Sequence, residues 1–253
     1  MTSLLPIAIG LVALLYASVG HAGATGYIAV MTLLGLPAPV IRPTALMLNV
    51  VVATIATVQF LRAGHFRGRL FWPLAAASVP CAVAGGAAAL PTAALEACLG
   101  FVLLFSAVRI LLDARTPSDA ATQAPGRAVP LATPGALAVL GGGIGLLSGL
   151  TGVGGGVFLT PALLACGAAP VKTIAAVTAP FILVNSLAGL VGGLLAGRSF
   201  PAVGLPVVGL AVVGGAIGSQ LGAFRLPVQT LRLLMAGVLA FASVKLLTGL
   251  VWR

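Results

Sequence analysis

Apolar runs long enough to cross a bilayer recur along this chain and are separated only by short polar breaks. Residues 43–61, 70–90 and 92–112 are three such runs, each close to the roughly 20 residues that a membrane helix needs. Only 6% of the residues are charged, whereas soluble domains carry roughly a quarter. A membrane β-barrel would alternate apolar and polar residues in segments of about ten, and that pattern is not seen. The sequence therefore predicts an all-α polytopic membrane protein with about eight transmembrane segments.

The chain divides into two similar halves around one polar stretch. Residues 113–133 read DARTPSDAATQAPGRAVPLAT, a composition typical of a solvated linker. On either side the same features follow in the same order, including LPAPVIR at 36–42 and GAAPVK at 167–172. The predicted units are a first membrane repeat over residues 1–113, a linker over 114–132 and a second membrane repeat over 133–253.

Glycines are concentrated at two places, one in each half. Residues 141–161 read GGGIGLLSGLTGVGGGVFLTP, and residues 18–27 read SVGHAGATGY. Each glycine costs a helix about 1 kcal/mol relative to alanine, so an uninterrupted spanning helix is disfavoured at both places. In lipid, an interrupted helix survives only where it is buried or lines a cavity. Matching breaks in two repeats are the best sequence-level indication of a transporter's binding site.

Two orientations of the halves remain open. If each Gly-rich passage lies within or beside one crossing, each half has four spans and the halves share one orientation. If the short apolar pieces beside the passages fold back as re-entrant hairpins, each half has three full spans and the halves are inverted. Both arrangements give a similar cytoplasmic excess of Lys and Arg, so the positive-inside rule does not choose between them.

The glycines predict two different roles. Three sets stand at the four-residue spacing that is typical of close helix packing. They are Gly141, Gly145 and Gly149; Gly189, Gly193 and Gly197; and Gly214, Gly218 and Gly222. Residues 152–156 read GVGGG, and adjacent glycines serve no single helix face. We therefore expect packing at the spaced sets and binding or gating at residues 152–156.

The chemistry of the two breaks suits an anion. The N-terminus of a broken helix presents main-chain N–H groups that carry partial positive charge, and glycine allows a tetrahedral oxyanion to reach them. Acidic residues are limited to Glu96, Asp113 and Asp119, so the spans offer no carboxylate site for a hard cation, and we expect no metal or cofactor. The predicted substrate-binding residues are Ser18, His21, Gly23, Thr25, Gly26, Ser148, Thr151, Gly152, Gly154, Gly155 and Gly156.

Other polar residues in or beside the spans have alternative interpretations. His21 either bonds a main-chain carbonyl, or it contacts substrate or couples protons, because an ordinary imidazole titrates near physiological pH. Asn49 and Asn185 are more often bridges between helices than substrate ligands. Arg42 and Lys172 could attract anions at a vestibule, although snorkelling to the membrane interface is the commoner role.

The two Gly-rich passages resemble a known family. GLLSGLTGVGGGVFLTPAL at 145–163, with SVGHAGATGYIAVM at 18–31, resembles the sulfite exporter TauE/SafE family, also called the 4-toluene sulfonate uptake permease family. The resemblance covers nearly the whole chain. It implies a multi-pass permease of a bacterial or archaeal cytoplasmic membrane for small sulfur-containing anions such as sulfite, sulfoacetate or organosulfonates. It also implies that residues 18–27 and 148–160 face the transport path.

We therefore expect a secondary transporter for a small anion, and not an enzyme, working by alternating access between the halves. Its partners are the anion and the lipid bilayer. The Lys and Arg residues behind the net charge of +10 are scattered, which argues against nucleic acid. A passive anion channel is the first alternative. A non-transporting membrane subunit or a membrane-embedded enzyme is less favoured, because His21 is the only histidine in an apolar segment. Homo-oligomerisation is left open.

Overall fold

The structure is a computed structural model that describes residues 4–18, 20–89, 91–115, 133–166 and 168–224, together with four isolated positions between 240 and 248. All regular secondary structure in these residues is helical. The helices are α1 (Leu4–Ala17), α2 (Ala24–Leu33), α3 (Ala38–Arg62), α4 (Gly68–Ala87), α5 (Thr92–Arg115), α6 (Pro134–Thr151), α7 (Gly156–Ala165), α8 (Val171–Leu195) and α9 (Leu205–Phe224). Residues 116–132, which make up most of the predicted linker, and most of the chain after residue 224 lie outside the described residues.

Several of these helices have the length and composition of membrane spans. In the described part of the chain, four are long and apolar enough to cross a bilayer, namely α3, α4, α6 and most of α8. Shorter apolar stretches are α1, α2, Ala93–Val108 of α5 and Leu205–Leu221 of α9. Large apolar side chains such as Val139 and Leu205 point outward, as lipid-facing residues do. The predicted all-α polytopic membrane fold is confirmed.

Helices α3 and α8 lie antiparallel at the centre of the molecule. Near the start of α3, Leu46 packs against Gly189 in the second half of α8. At the middle, the Asn49 side chain bonds Ser186. Near the end of α3, Phe60 shares a buried cluster with Ala176, close to the start of α8. Since α3 and α8 are the third helices of their halves, the halves have opposite orientations.

Helices α6 and α4 pack with their main chains almost in contact. A Cβ atom at Gly141, Gly145 or Gly149 would overlap the main chain of Leu74, Ser78 or Ala82, respectively. Both helices therefore run in the same direction. The predicted packing role of this glycine set is confirmed.

The remaining glycine sets give a mixed result. Gly214 and Gly218 of α9 lie against the main chain of α1 at Gly10 and Leu14, so that set packs as predicted. Gly222 lies outside the residues whose side chains are described. The packing prediction is wrong at Gly197, where a Cβ atom would meet nothing within 4 Å and φ is +71°. There the glycine ends α8 because the chain turns through the left-handed region.

Each short helix folds back beside the helix that precedes it. In the second half, Gly156 lies against Ile182 and the Thr160 hydroxyl is 3.2 Å from that of Thr178, so α7 runs antiparallel to α8. Helix α8 runs parallel to α4. Gly86 near the end of α4 packs against Gly192 near the end of α8, and the Ser78 hydroxyl earlier in α4 donates to Asn185 earlier in α8. Since α6 is parallel to α4, the α6–α7 pair is a hairpin.

The first half repeats this arrangement. The Thr25 hydroxyl at the start of α2 donates to the Tyr16 hydroxyl at the end of α1, at 3.0 Å. The next residue, Gly26, packs against Val12 and Tyr16. Of the two orientations left open by the sequence, the described helices match the inverted one with re-entrant hairpins.

Candidate functional site

The first helix break lies between α1 and α2. Gly20 and Gly23 adopt φ values of +79° and +100°, which only glycine reaches without strain. A Cβ atom at Gly23 would lie 2.8 Å from the Tyr27 ring. The His21 main-chain N–H donates to the Tyr16 carbonyl at 3.0 Å. These contacts bring the start of α2 back toward the end of α1.

The second helix break lies between α6 and α7 and has similar backbone geometry. Gly152, Gly154 and Gly155 have φ values of +81°, +76° and +84°. The Gly152 N–H donates to the Ser148 carbonyl at 2.8 Å and so ends α6. Helix α7 then begins at Gly156. At these three positions a residue with a Cβ atom would be strained, because φ is positive, and glycine avoids that strain.

The two breaks meet around one small cavity, although they belong to opposite halves. The first break contributes residues 21–25, and the second contributes Val153, Gly156 and Val157. Tyr16, Asn49 and Ile182 complete the wall. The start of α2 and the start of α7 therefore face a common space deep among the helices.

Four of the predicted substrate-binding residues line this cavity: His21, Gly23, Thr25 and Gly156. The Ser18 and Thr151 hydroxyls lie outside it and donate back to Leu15 and Leu147 of their own helices, each at 2.7 Å. The other predicted residues are not among those that line the cavity, and they are Gly26, Ser148, Gly152, Gly154 and Gly155. Their role in substrate binding stays a prediction.

Ser148 differs from the other two hydroxyl residues. Its side chain is fully buried on α6 next to Gly155, and its hydroxyl has no hydrogen-bond partner among the described residues. A buried hydroxyl without a partner costs about 1–3 kcal/mol. Such a group is available to a ligand that reaches it.

Asn49 of α3 lies at the point where the two breaks and α8 converge. Its side-chain amide nitrogen is 3.4 Å from the Val153 carbonyl of the second break and 3.4 Å from the Ser186 hydroxyl of α8. Its side chain is fully buried, lines the cavity, and keeps an oxygen without a partner among the described residues. Sequence reasoning assigned Asn49 mainly to helix bridging. The only signal in the sequence was a polar residue in the middle of a span.

Two features of the cavity would suit an anion. The first turn of an α-helix has N–H groups without partners in the helix, and both α2 and α7 direct such a turn toward it. No carboxylate is among its lining residues. Its volume is only about 10 Å³, and a single water molecule needs about 10–15 Å³ by this measure. In the described conformation the cavity is therefore about the size of one water molecule.

A second, larger cavity of about 210 Å³ lies at one end of the molecule and is lined by two arginines. Arg42 is only 6% exposed, and its Nη2 donates to the carbonyls of Gly85 and Gly86 at 2.7 and 2.8 Å. Arg198 donates from Nη1 to the same Gly86 carbonyl at 3.2 Å, and from Nη2 to the carbonyls of Ala87 and Ala88. Both guanidinium groups thus cap the C-terminal end of α4, where the helix dipole is negative.

Arg42 and its predicted counterpart in the second half have different surroundings. Arg42 is buried and bonds the end of α4, whereas Lys172 is exposed. Sequence reasoning also missed Arg198, because its proximity to Arg42 depends on the antiparallel packing of α3 and α8. Two unit charges about 6 Å apart repel each other by about 3 kcal/mol at an effective dielectric constant of about 20. The carbonyls of α4 offset part of this repulsion.

Comparison with known proteins agrees with the membrane fold. The family profile described as "Sulfite exporter TauE/SafE" matches residues 5–246. The "Probable membrane transporter protein y4hK" of Sinorhizobium fredii (strain NBRC 101917 / NGR234) is 38% identical over 243 residues, which cover 96% of this chain and 97% of the relative. No solved structure gives a significant match. With the family profile covering nearly all of the chain, this multi-pass membrane protein belongs to the sulfite exporter TauE/SafE family of membrane transporters.

Proposed function

We propose that this transporter moves small sulfur-containing anions, with sulfite first among them and sulfoacetate and organosulfonates as further candidates, across a bacterial or archaeal cytoplasmic membrane. The observation that carries the proposal is that the helix breaks of both halves meet at one cavity. Two helix N-termini are suited to bind oxyanion oxygens. The Thr25 hydroxyl and the Asn49 amide nitrogen would donate to the anion in exchange for their present acceptors, Tyr16 for Thr25, and Val153 and Ser186 for Asn49. The choice of sulfur-containing anions as substrates is based on membership of the sulfite exporter TauE/SafE family.

The proposed mechanism is alternating access around this cavity. The two re-entrant hairpins come from halves of opposite orientation, so each separates the cavity from a different side of the membrane. Movement of one hairpin opens the site to one side while the other hairpin stays closed. The small cavity is compatible with a transporter that closes around its substrate, and the transport assay separates this mechanism from a passive channel.

The distribution of basic residues orients the protein in the membrane. Six Lys and Arg positions of the described chain lie toward one face, at the end of α3, the start of α4, the second half of α5 and the start of α8; they are Arg62, Arg67, Arg69, Arg109, Arg115 and Lys172. Arg42 and Arg198 lie toward the other face. By the positive-inside rule the first face is cytoplasmic.

The substitution Asn49→Asp tests the site directly. Asp has nearly the same shape as Asn, but it replaces the donor nitrogen with an oxygen and can add negative charge where the anion is proposed to bind. Loss of one hydrogen bond to a charged group, worth about 1.5–3 kcal/mol, raises the KM for sulfite by about 10- to 100-fold. The measurement is counterflow of radiolabelled sulfite in proteoliposomes, with the amount of folded protein determined for each variant.

Asn185→Asp is the matched control. Asn185 is equally buried on α8, donates to the Phe181 carbonyl at 2.8 Å and accepts from Ser78, but it lies outside the cavity. This variant has a comparable cost in stability and should keep its KM for sulfite. Equal KM values for Asn49→Asp and the parent would contradict the proposed site. Flux without saturation or counterflow would instead support the channel alternative.

A further inference from the structure

We propose that Arg42 and Arg198 form a second anion-binding site, which holds a small free oxyanion at the membrane face opposite the basic loop between α3 and α4. That this site lies on the transport path rests on the proposed function. That it binds an anion rests only on the two guanidinium groups and their cavity.

The first support is an excess of positive charge at a partly open cavity, where Arg42 is buried and Arg198 is half-buried. Arg42 Nη2 and Arg198 Nη1 lie 2.8 and 3.2 Å from the same Gly86 carbonyl oxygen, so these nitrogens are within about 6 Å of each other. The described residues that line the cavity include no carboxylate. Main-chain carbonyls carry only partial charges, so they do not neutralise two guanidinium groups. A buried charge is normally paired, and an oxyanion would supply the missing negative charge.

The second support is the donor capacity that remains. A guanidinium group has five N–H donors in a fixed planar arrangement that matches the oxygens of an oxyanion. The bonds to α4 use only Nη2 of Arg42, so its Nη1 and Nε are not used by them. The bonds of Arg198 use both Nη atoms and leave Nε. Ser199 adds a hydroxyl to the same cavity.

The third support is the position of the cavity relative to the helix breaks. A Cβ atom at Gly152 would lie 2.8 Å from the Arg42 carbonyl oxygen and 3.0 Å from Arg42 Cγ, so the second break packs directly against this residue. Arg42 and Arg62, at opposite ends of α3, are about 30 Å apart along the helix. The arginine cavity therefore adjoins the break while lying across the membrane from the basic loop.

Charge-selective labelling of Ser199→Cys tests the site without any need for transport. Ser199 is exposed at the cavity, so a cysteine there is accessible to thiol reagents. The quantity measured is the ratio of two labelling rates, that of anionic methanethiosulfonate ethylsulfonate divided by that of its cationic trimethylammonium analogue. We expect this ratio to be about tenfold higher at the introduced cysteine than for a simple thiol. The parent chain, with its three partly buried cysteines, supplies the background rate.

Second variants separate anion binding from capping of α4. In the Ser199→Cys protein, Arg198→Gln should remove most of the preference for the anionic reagent, and Arg198→Lys should retain it. Arg62→Gln, an exposed arginine at the other end of α3, should leave the preference unchanged. If Arg198→Gln and Arg198→Lys behave alike, Arg198 only caps the helix and the proposal is overturned.

Protection by an added anion identifies what occupies the site. In nanodiscs of phosphatidylcholine, sulfate at constant ionic strength should slow labelling. Arg198→Gln should raise the sulfate concentration needed for half-maximal protection by about 10- to 100-fold. Sulfate replaces sulfite here because sulfite cleaves the disulfide that the reagent forms. Protection by phosphatidylglycerol alone, with no effect of sulfate, would assign the site to a lipid headgroup and refute a free-oxyanion site. Asn49→Asp should not alter the labelling, so a failure of the proposed transport site is distinguishable from a failure of this one.

Discussion

The contact between α4 and α6 is tight enough that one methyl group at Gly145 should measurably destabilise the protein. A Cβ atom there would lie 2.7 Å from Ser78 Cα and would also overlap the Ser78 carbonyl and hydroxyl. Real Cβ atoms do not approach main-chain atoms so closely, so Gly145→Ala requires the helices to separate. The Ser78 hydroxyl, which donates to Asn185 of α8, would be displaced as well.

The cost follows from comparison with Gly143→Ala on the same helix. Gly143 is exposed, and a Cβ atom there has nothing within 4 Å. Both substitutions gain about 1 kcal/mol of helix propensity. Only Gly145→Ala overpacks an interface, at about 1–3 kcal/mol. The difference between the two variants therefore isolates the overpacking energy.

Thermal unfolding of the purified protein in one detergent provides the measurement. A difference of about 2 kcal/mol corresponds to about 4–8 °C in the unfolding midpoint for a chain of this size. We expect Gly143→Ala to unfold at or above the parent's midpoint and Gly145→Ala to unfold several degrees below Gly143→Ala. Equal midpoints for the two alanine variants would refute the close approach of α4 and α6.

Two further predictions concern the second helix break. Ser148→Ala should leave the unfolding midpoint unchanged or higher, because it removes a buried hydroxyl without a partner among the described residues; an accompanying rise in the KM for sulfite would identify that hydroxyl as a substrate ligand. Gly155→Leu should abolish sulfite flux in proteoliposomes, since Gly155 has a φ of +84° and a Cβ atom there would lie 2.8 Å from Ile144. Gly197→Ala, with a φ of +71° in open space, should carry comparable backbone strain yet retain flux; unchanged flux in Gly155→Leu would exclude the second break from the path.

The two helix breaks of the candidate site could be located from the sequence, because clustered glycines indicate where the main chain leaves the helical conformation. Gly23 and Gly152 lie where φ is positive, and in a membrane that conformation is tolerated only at a buried or cavity-lining break. The side chains around the breaks were harder to predict. Asn49 lines the cavity, whereas the equally buried Asn185 bonds Ser78 between α4 and α8. Nothing in their local sequence separates these two roles.

The sequence by itself determined the membrane class, the helical fold and the positions of the two helix breaks, because apolar length and glycine content act through the local main chain. Only the tertiary structure decided that the halves are inverted, that both breaks face Asn49, and that Arg42 and Arg198 bond the same carbonyl. The physical reason is that the sequence of an apolar helix face indicates that the face is covered, but it does not specify which helix covers it. The partner is set by close packing among all the helices, as at Gly145 and Ser78, and charge counts are nearly equal for the competing orientations.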